Sequence, residues 1–306
     1  ELYKISGHWD HYLDGMFVLG DPNDETKECF ALRPMTCPFQ YQVFLNRQRS
    51  YRDLPMRLTE TSTLFRNEDS GEMHGLIRVR QFTISEGHLV LRPDQLEAEF
   101  KDCLELAKYF LGTVGLLDKC TFRFSQWDPA NPKNKYEGTA EQWEHAQSTM
   151  EQILKDLDVE YSVGYSDTDG LMMLAYSIHR SSLGCYERTL AFLLETYAGA
   201  LPLWMMPEQV RVLPISERLL DKAAEVERTL KNAGIRAELD TRSEKIGYKI
   251  REAQVDKIPY MLVIGDKEAE SGNVAVRHRK DGDLGAMPLD AFIAKVKSEI
   301  DAKSKD

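Results

Sequence analysis

The sequence predicts two domains of different class: an α+β domain built on an antiparallel sheet over residues 1–205, and a small α/β domain over residues 206–306. Three observations predict this. A chain of 306 residues divides better into two cores than one. Between Arg57 and Leu91 a period-two pattern runs, breaks at a polar glycine-containing loop, and resumes, as antiparallel strands do. Beyond Pro207, short apolar runs alternate with helical patterns, which predicts a largely parallel sheet with helices packed on it.

The elements follow in order. The stretch before Arg57 reads as strand- and turn-rich. Thr59, Thr61, Thr63 and Phe65 alternate with Leu58, Glu60, Ser62 and Leu64, a β-forming set. Asn67–Gly75 is polar and holds Gly71 and Gly75, so it is a loop. Ile77–Ser85 resumes the alternation, which places Arg78 and Arg80 on the second strand. Pro93–Leu116 is a helix capped by Asp94, with Leu96, Phe100, Leu104, Ala107 and Leu111 on one stripe. Asp128–Glu137 is a loop. Thr139–Asp156 is a helix whose Thr139 and Gln142 form a capping box. Ser181–Tyr197 is a third helix, with Tyr186, Leu190, Leu193, Leu194 and Tyr197 at helical spacing, stopped by Gly199 and Pro202. The second domain reads as strand 209–215, helix 217–233, strand 236–240, helix 244–255, strands 260–265 and 274–279, and helix 288–301. Asn232-Ala233-Gly234 is a left-handed helix stop.

Bulk properties narrow the classes. The chain is 42% hydrophobic and 29% charged, as globular proteins are. No apolar run is long enough to span a membrane, since Glu195 and Pro202 break the richest stretch, Leu190–Met206. The five cysteines (Cys29, Cys37, Cys103, Cys120, Cys185) are odd in number and follow no framework spacing, which predicts a reducing cytoplasm. A net charge of −11 argues against a nucleic-acid binder unless local clusters do the binding. Arg47–Arg57, Lys245–Arg251 and Arg277–Lys280 are such clusters, and each taken alone reads as solvated surface. The opening Glu-Leu-Tyr without Met reads as a piece excised from something longer.

Three sets of residues carry chemistry. Arg66, Glu68, Arg78 and Arg80 can converge across a hairpin on one ligand. Guanidinium groups pair with phosphate and stack on flat rings, while a carboxylate accepts from a base amino group. Taken alone, the set reads more readily as a ladder of surface salt bridges between strands. Arg188 lies about 200° around a helix from Tyr186 and so points away from the apolar stripe, free to hold a phosphate or to pair with a neighbouring Glu. Cys37, His88 and His179 would make a zinc set with an open position, although their spacing matches no local zinc motif. Arg78, Glu86 and His88 share parity, so an unbroken strand shows them on one face, and Gly87 is where that register could break.

Several runs together resemble the threonyl-tRNA synthetase family. They are Ser6-Gly7-His8-Trp9-Asp10-His11-Tyr12, Leu32-Arg33-Pro34-Met35-Thr36-Cys37-Pro38, Ser50-Tyr51-Arg52-Asp53-Leu54-Pro55 and Phe65-Arg66-Asn67-Glu68. With them go Met73-His74-Gly75-Leu76-Ile77-Arg78-Val79-Arg80-Gln81-Phe82-Thr83, Ile178-His179-Arg180 through Arg188, Glu244-Lys245-Ile246-Gly247-Tyr248-Lys249-Ile250-Arg251-Glu252 and Val274-Ala275-Val276-Arg277. The likeness covers nearly the whole chain, in order.

The resemblance implies a class II aminoacylation domain over 1–205 and a three-layer anticodon-binding domain over 206–306. It implies ATP-dependent activation of L-threonine and its transfer to tRNA(Thr), with Mg²⁺ accompanying ATP, and a homodimer in the full-length protein. Arg66, Glu68, Arg78 and Arg188 would bind ATP, Arg66, Arg78 and Arg188 acting catalytically on its phosphates. Cys37, His88 and His179 would hold Zn²⁺ and, with Glu86, contact threonine. Lys257, Glu268 and Arg277 match anticodon-contacting positions.

The sequence departs from the family in two places. The family's motif 1 and editing region, which lie upstream of Ser6-Gly7-His8-Trp9, are not in this chain. A strand-rich segment with pocket-lining Tyr and Gln is also missing, since Tyr161–Gly164 passes through Tyr165–Ala175 and reaches His179 almost at once. Gly170–Ala175 reads as joined fragments. Losing central strands should leave unpaired sheet edges and exposed apolar surface. An impaired paralogue that acts in RNA binding or regulation is the alternative.

Overall fold

The computed structural model describes residues 1–305 except 25, 129, 131–135, 138, 166–171 and 174–176. The Gly170–Ala175 junction and the Asp128–Glu137 loop fall largely outside the described residues. The chain divides into two compact units, Glu1–Phe192 and Leu193–Asp306.

The first unit opens with short turns of helix and a two-residue hairpin, Val18–Leu19 (β1) with Phe30–Ala31 (β2). Cys37–Leu45 (α1) then follows. The expected strand- and turn-rich opening is therefore partly helical. The aromatic and β-branched residues of α1 favour a strand, but Thr36-Cys37-Pro38 starts a helix, with proline fixing φ where no backbone donor is needed.

Met56–Phe65 (β3) and Gln81–Val90 (β4) pair antiparallel over ten positions. Burial along β3 alternates, with Met56, Leu58, Glu60, Ser62 and Leu64 on the covered face. Leu96–Thr113 (α2) begins after a 3₁₀ turn in which Gln95, not Asp94, accepts the Arg92 N–H, while Asp94 pairs with the Arg92 guanidinium. Phe122–Gln126 (β5) pairs in parallel with Tyr161–Tyr165 (β6), and between them Ala140–Asp156 (α3) carries the Thr139–Gln142 capping box.

Ser177–Cys185 (β7) adds to β4, giving the sheet order β3-β4-β7. Residues 181–185, expected to be helical, belong to this strand, and the helix starts only at Tyr186–Thr196 (α4). The helical spacing begins only at Tyr186, and the residues before it join the ladder to β4. That ladder also contains a shift between Ser85 and Glu86, closed by Ser181, whose hydroxyl donates to Ser85 O and accepts from Gly184 N–H. On α4, Ala191 and Leu193 are buried, while Tyr186, Leu190, Phe192 and Leu194 are exposed. The expected stripe is thus mostly uncovered.

The second unit is a five-stranded mixed sheet, with Val210–Pro214 (β8), Ala237–Leu239 (β9), Tyr260–Ile264 (β10), Asn273–His278 (β11) and Gly282–Pro288 (β12) in the order β9-β8-β10-β11-β12. β8, β9 and β10 run parallel; β11 pairs antiparallel with both β10 and β12, so the sheet is less parallel than expected. β12 escapes a sequence reading because Gly282, Gly285 and Pro288 suppress its β signal. Its helices are Leu220–Asn232 (α5), Ile246–Val255 (α6), Asp266–Ser271 (α7) and Leu289–Asp301 (α8). α5 and α8 bury Ala223, Leu230, Phe292 and Val296 against Val210, Val212, Leu262 and Val276. On the opposite face α6 buries Ala253 against Leu213 and Met261. Two cores, one on each face of the sheet, make three layers. Each fully buried aliphatic side chain contributes about 1.5–3 kcal/mol.

Candidate functional site

Backbone register builds the site. β3 places Leu58 opposite His88 and Glu60 opposite Glu86. The pairing runs unbroken through Gly87, so Glu86 and His88 do share a face. Arg78 and Arg80 precede the strand and lie in the loop, not on it as expected, because the ladder ends at Gln81. β7 then sets His179 opposite His88. Gly87 is required here by close approach: a Cβ would sit 3.1 Å from the Arg180 guanidinium carbon and 3.2 Å from Leu58 O.

The ligand atoms of Cys37, His88 and His179 all lie within 4.8 Å of one another. Cys37 Sγ is 3.7 Å from His179 Nδ1. Zinc bonds of about 2.0–2.3 Å put tetrahedral ligands roughly 3.4–3.8 Å apart, so a small contraction closes the set on one ion. The donor chemistry fits a metal. His88 Nδ1 faces Gln40 Oε1 at 2.8 Å, while His88 Nε2 is buried without a hydrogen-bond partner among the described residues. An orphaned ring nitrogen is costly unless something binds its lone pair. His179 Nε2 meets the Tyr41 hydroxyl at 2.7 Å, leaving Nδ1 for the cluster.

Electrostatics supports the same state. Burial, then neighbouring His179, pushes His88 down to about 4, and burial lowers His179 as well. Both imidazoles are therefore neutral near pH 7. Burial, then the Glu86 charge, pushes the Cys37 thiol up to about 12, with Arg66 and Arg33 opposing. Only a cation placed among these groups would make the thiolate favourable.

Glu86 accepts a short hydrogen bond from the hydroxyl of buried Thr36. Glu60, its cross-strand partner, is instead paired with Arg33 through both guanidinium branches. Two carboxylates opposite each other on neighbouring strands repel, and these two partners offset that.

The second cluster surrounds the loop between β3 and β4. Arg66 N–H donates to Arg80 O, and its guanidinium lies 5.2 Å over the Phe82 ring. Arg78 donates from Nε and Nη2 to Glu68 Oε2, at 2.9 and 2.7 Å. Arg80 Nε donates to Glu68 O, and Arg188 Nε donates to Ile77 O at 2.8 Å. Arg66, Glu68 and Arg78 thus lie on one loop, and Arg188 reaches it from α4. Arg188 is exposed, and so is Tyr186 on the other side of the helix. Beside it, Glu187 accepts from Thr83 N–H with both oxygens, docking α4 to β4.

Lys257, Glu268 and Arg277 are not gathered in the same way. Lys257 precedes β10 and Glu268 follows it, so they flank opposite ends of one strand. Glu268 accepts from Gly265 N–H at the start of its own helix. Arg277 pairs with Asp283 on β12 at 3.3 Å.

Sequence reasoning passes over Arg33, Thr36, Gln40, Tyr41 and Glu60. Gln40 and Tyr41 stand three and four residues after Cys37, a helical spacing that would expose them once α1 is read as a helix. Glu60 shares parity with Leu58. His8 stands out in the sequence only as part of a motif, yet it lies close enough to His179 for their charges to interact, and burial lowers its pKa.

Against known proteins, the family described as "tRNA synthetase class II core domain (G, H, P, S and T)" matches residues 17–197. The family "Anticodon binding domain" matches residues 209–299. The chain is 51% identical over 341 aligned positions to the threonine–tRNA ligase of Clostridium perfringens, covering 98% of this chain and 53% of that protein. With the threonine–tRNA ligase of Clostridium botulinum the figures are 50% over 346 positions, 100% and 54%. The chain thus spans about half the length of these curated relatives. An alignment of 346 positions against 306 residues leaves about 40 positions within the matched span that this chain lacks. Among solved structures, the RNA-binding domain of threonyl-tRNA synthetase from Cryptosporidium parvum superposes with a TM-score of 0.84 at 29% identity, covering 97% of this chain and 83% of that one.

Proposed function

The chain belongs to the class II tRNA synthetase core family, with an anticodon-binding domain attached, and from that premise we propose that it activates L-threonine with ATP and transfers the threonyl group to tRNA(Thr). Residues 1–205 serve as the aminoacylation domain and 206–306 as the anticodon-binding domain. The observation that carries this reading is the convergence of Cys37, His88 and His179, with His88 Nε2 left unpaired among the described residues.

In this reading Cys37, His88 and His179 hold one zinc ion, which supplies coordination positions for the amino and hydroxyl groups of threonine. Valine has nearly the same shape but no hydroxyl, and an apolar pocket alone separates such isosteres weakly. Glu86, held by Thr36, contacts the amino group of threonine. Arg66, Arg78 and Arg188 hold the triphosphate, and Glu68 accepts from the adenine amino group. Mg²⁺ accompanies ATP. Chemistry then rests on positioning and charge stabilisation: the threonine carboxylate attacks the α-phosphate, pyrophosphate leaves, and no protein nucleophile is needed. Lys257, Glu268 and Arg277 contact the anticodon. The full protein acts as a cytoplasmic homodimer.

One observation favours a second reading. The roughly 40 positions of the relatives' matched span that are missing here are enough to remove a wall of the amino-acid pocket, which suits an impaired paralogue that binds RNA. Threonine-dependent ATP–pyrophosphate exchange on the full gene product separates the two. Exchange with threonine but not proline or histidine supports the enzyme. A folded, zinc-loaded protein without exchange supports the paralogue.

A further inference from the structure

Resting on the reading of Cys37, His88 and His179 as a zinc set, we propose that Gln40, oriented by the Glu60–Arg33 pair, is the positioning residue that holds His88 in its metal-binding tautomer. A neutral imidazole carries one N–H, and its partner decides which nitrogen has it. Gln40 Oε1 stands 2.8 Å from His88 Nδ1. An oxygen there obliges Nδ1 to carry the proton and leaves the lone pair on Nε2, the atom that has no hydrogen-bond partner among the described residues. Both side chains are buried, so water cannot supply an alternative acceptor.

A glutamine amide presents an acceptor on one side and donors on the other. Turned over, Gln40 would donate to His88 Nδ1, move the ring proton to Nε2 and aim an N–H at the site. Glu60 selects between the two orientations. It lies on the covered face of β3, two residues from the partner of His88. A carboxylate only accepts, so it draws the Gln40 amino group toward itself and repels the amide oxygen. Gln40 Nε2 makes no hydrogen bond of good geometry, so the bias is one of charge on dipole. The Glu60 carboxyl is held below its ordinary range by Arg33 and, less strongly, by the Gln40 amide. Arg33 is fixed in turn, donating to Glu60 at 2.7 Å and lying 4.2 Å over the ring of Phe39, the residue before Gln40. Arg33, Glu60, Gln40 and His88 thus form one chain of orientation that ends at a zinc donor atom.

The test uses the full chain, ¹⁵N-labelled and metal-free. Long-range ¹H–¹⁵N correlation spectra, assigned by difference against His88→Gln, report the His88 tautomer. Chelator competition reports zinc affinity, and circular dichroism checks the fold. The wild type should show Nδ1–H. Gln40→Met should populate both tautomers and weaken zinc binding roughly 10–100-fold, the loss usual for such outer partners. Glu60→Gln should also mix the tautomers, and it carries the test if Gln40→Met does not fold. The exchange Gln40→Glu with Glu60→Gln restores an acceptor at position 40 and one carboxylate in the cluster, and should recover most of the affinity. A wild type protonated on Nε2, or a folded Gln40→Met with wild-type zinc affinity, overturns the proposal. A wild type with Nδ1–H that takes up no zinc removes the zinc reading and leaves the orientation chain standing.

Discussion

His88 and His179 are register partners on adjacent antiparallel strands, with their ring centroids 4.3 Å apart. Two rings this close cannot both be charged cheaply, and burial keeps both neutral. Some ninety residues of chain separate them, and one ladder position brings them together.

Removing any one of the three ligands should remove the metal. We expect about one zinc per chain in the wild type, lost in each of Cys37→Ala, His88→Ala and His179→Ala, measured by elemental analysis beside circular dichroism. Stripping the wild type with a chelator should lower its melting temperature, because binding to the folded state alone stabilises it. A folded wild type without zinc would sink the site.

Arg33→Met should show how the Glu60 ion pair depends on pH. Arg33 depresses the Glu60 pKa in the folded state. The stabilisation is therefore fully present above the unfolded carboxylate value of about 4.3 and fades as pH falls through the lower folded value. Urea midpoints for wild type and Arg33→Met should differ at pH 7 and converge toward pH 3. A gap that stays constant across this range would refute the assignment.

Gly87→Ala should destabilise the first unit by about 1–3 kcal/mol, the usual cost of overpacking. The new methyl meets the Arg180 guanidinium at 3.1 Å, which can move, and Leu58 O at 3.2 Å, which is held in the ladder. Urea denaturation measures the cost. An unchanged midpoint would mean that β3 and β4 shift apart freely.

Arg188→Ala should lower ATP–pyrophosphate exchange roughly 10²–10³-fold with little change in stability, as removal of one preorganised charge donor does. The side chain is exposed and makes a hydrogen bond to Ile77 O, so the fold loses little without it. Glu68→Ala should raise the KM for ATP, although it releases Arg78 from its carboxylate partner. Wild-type exchange in Arg188→Ala would exclude that residue from the nucleotide site.

Much of the fold is legible along the chain. The alternation of Thr59, Thr61 and Thr63 is the observed outward face of β3, and Thr139 with Gln142 is the observed capping box. Both signals are local, and a local signal suffices when an element is amphipathic or capped. Sequence and structure part where a neighbour overrules local preference. Residues 181–185 precede the helical spacing, which begins at Tyr186, and are claimed by the β4 ladder. β12 carries two glycines and a proline but is paired by β11. α1 holds β-favouring residues but is started by Thr36-Cys37-Pro38.

The site divides in the same way. Sequence alone determined the donor types Cys37, His88 and His179 and the arginine-rich hairpin, because these residues and their order are written in the chain. Only the tertiary structure decided that β7 lies against β4 with His179 opposite His88. It alone placed Thr36 on Glu86 and turned Gln40 toward His88. The reason is physical. A ligand set needs its atoms within a few ångströms, and that distance is set by strand register and by buried polar partners far apart in sequence, neither of which leaves a periodic trace along the chain.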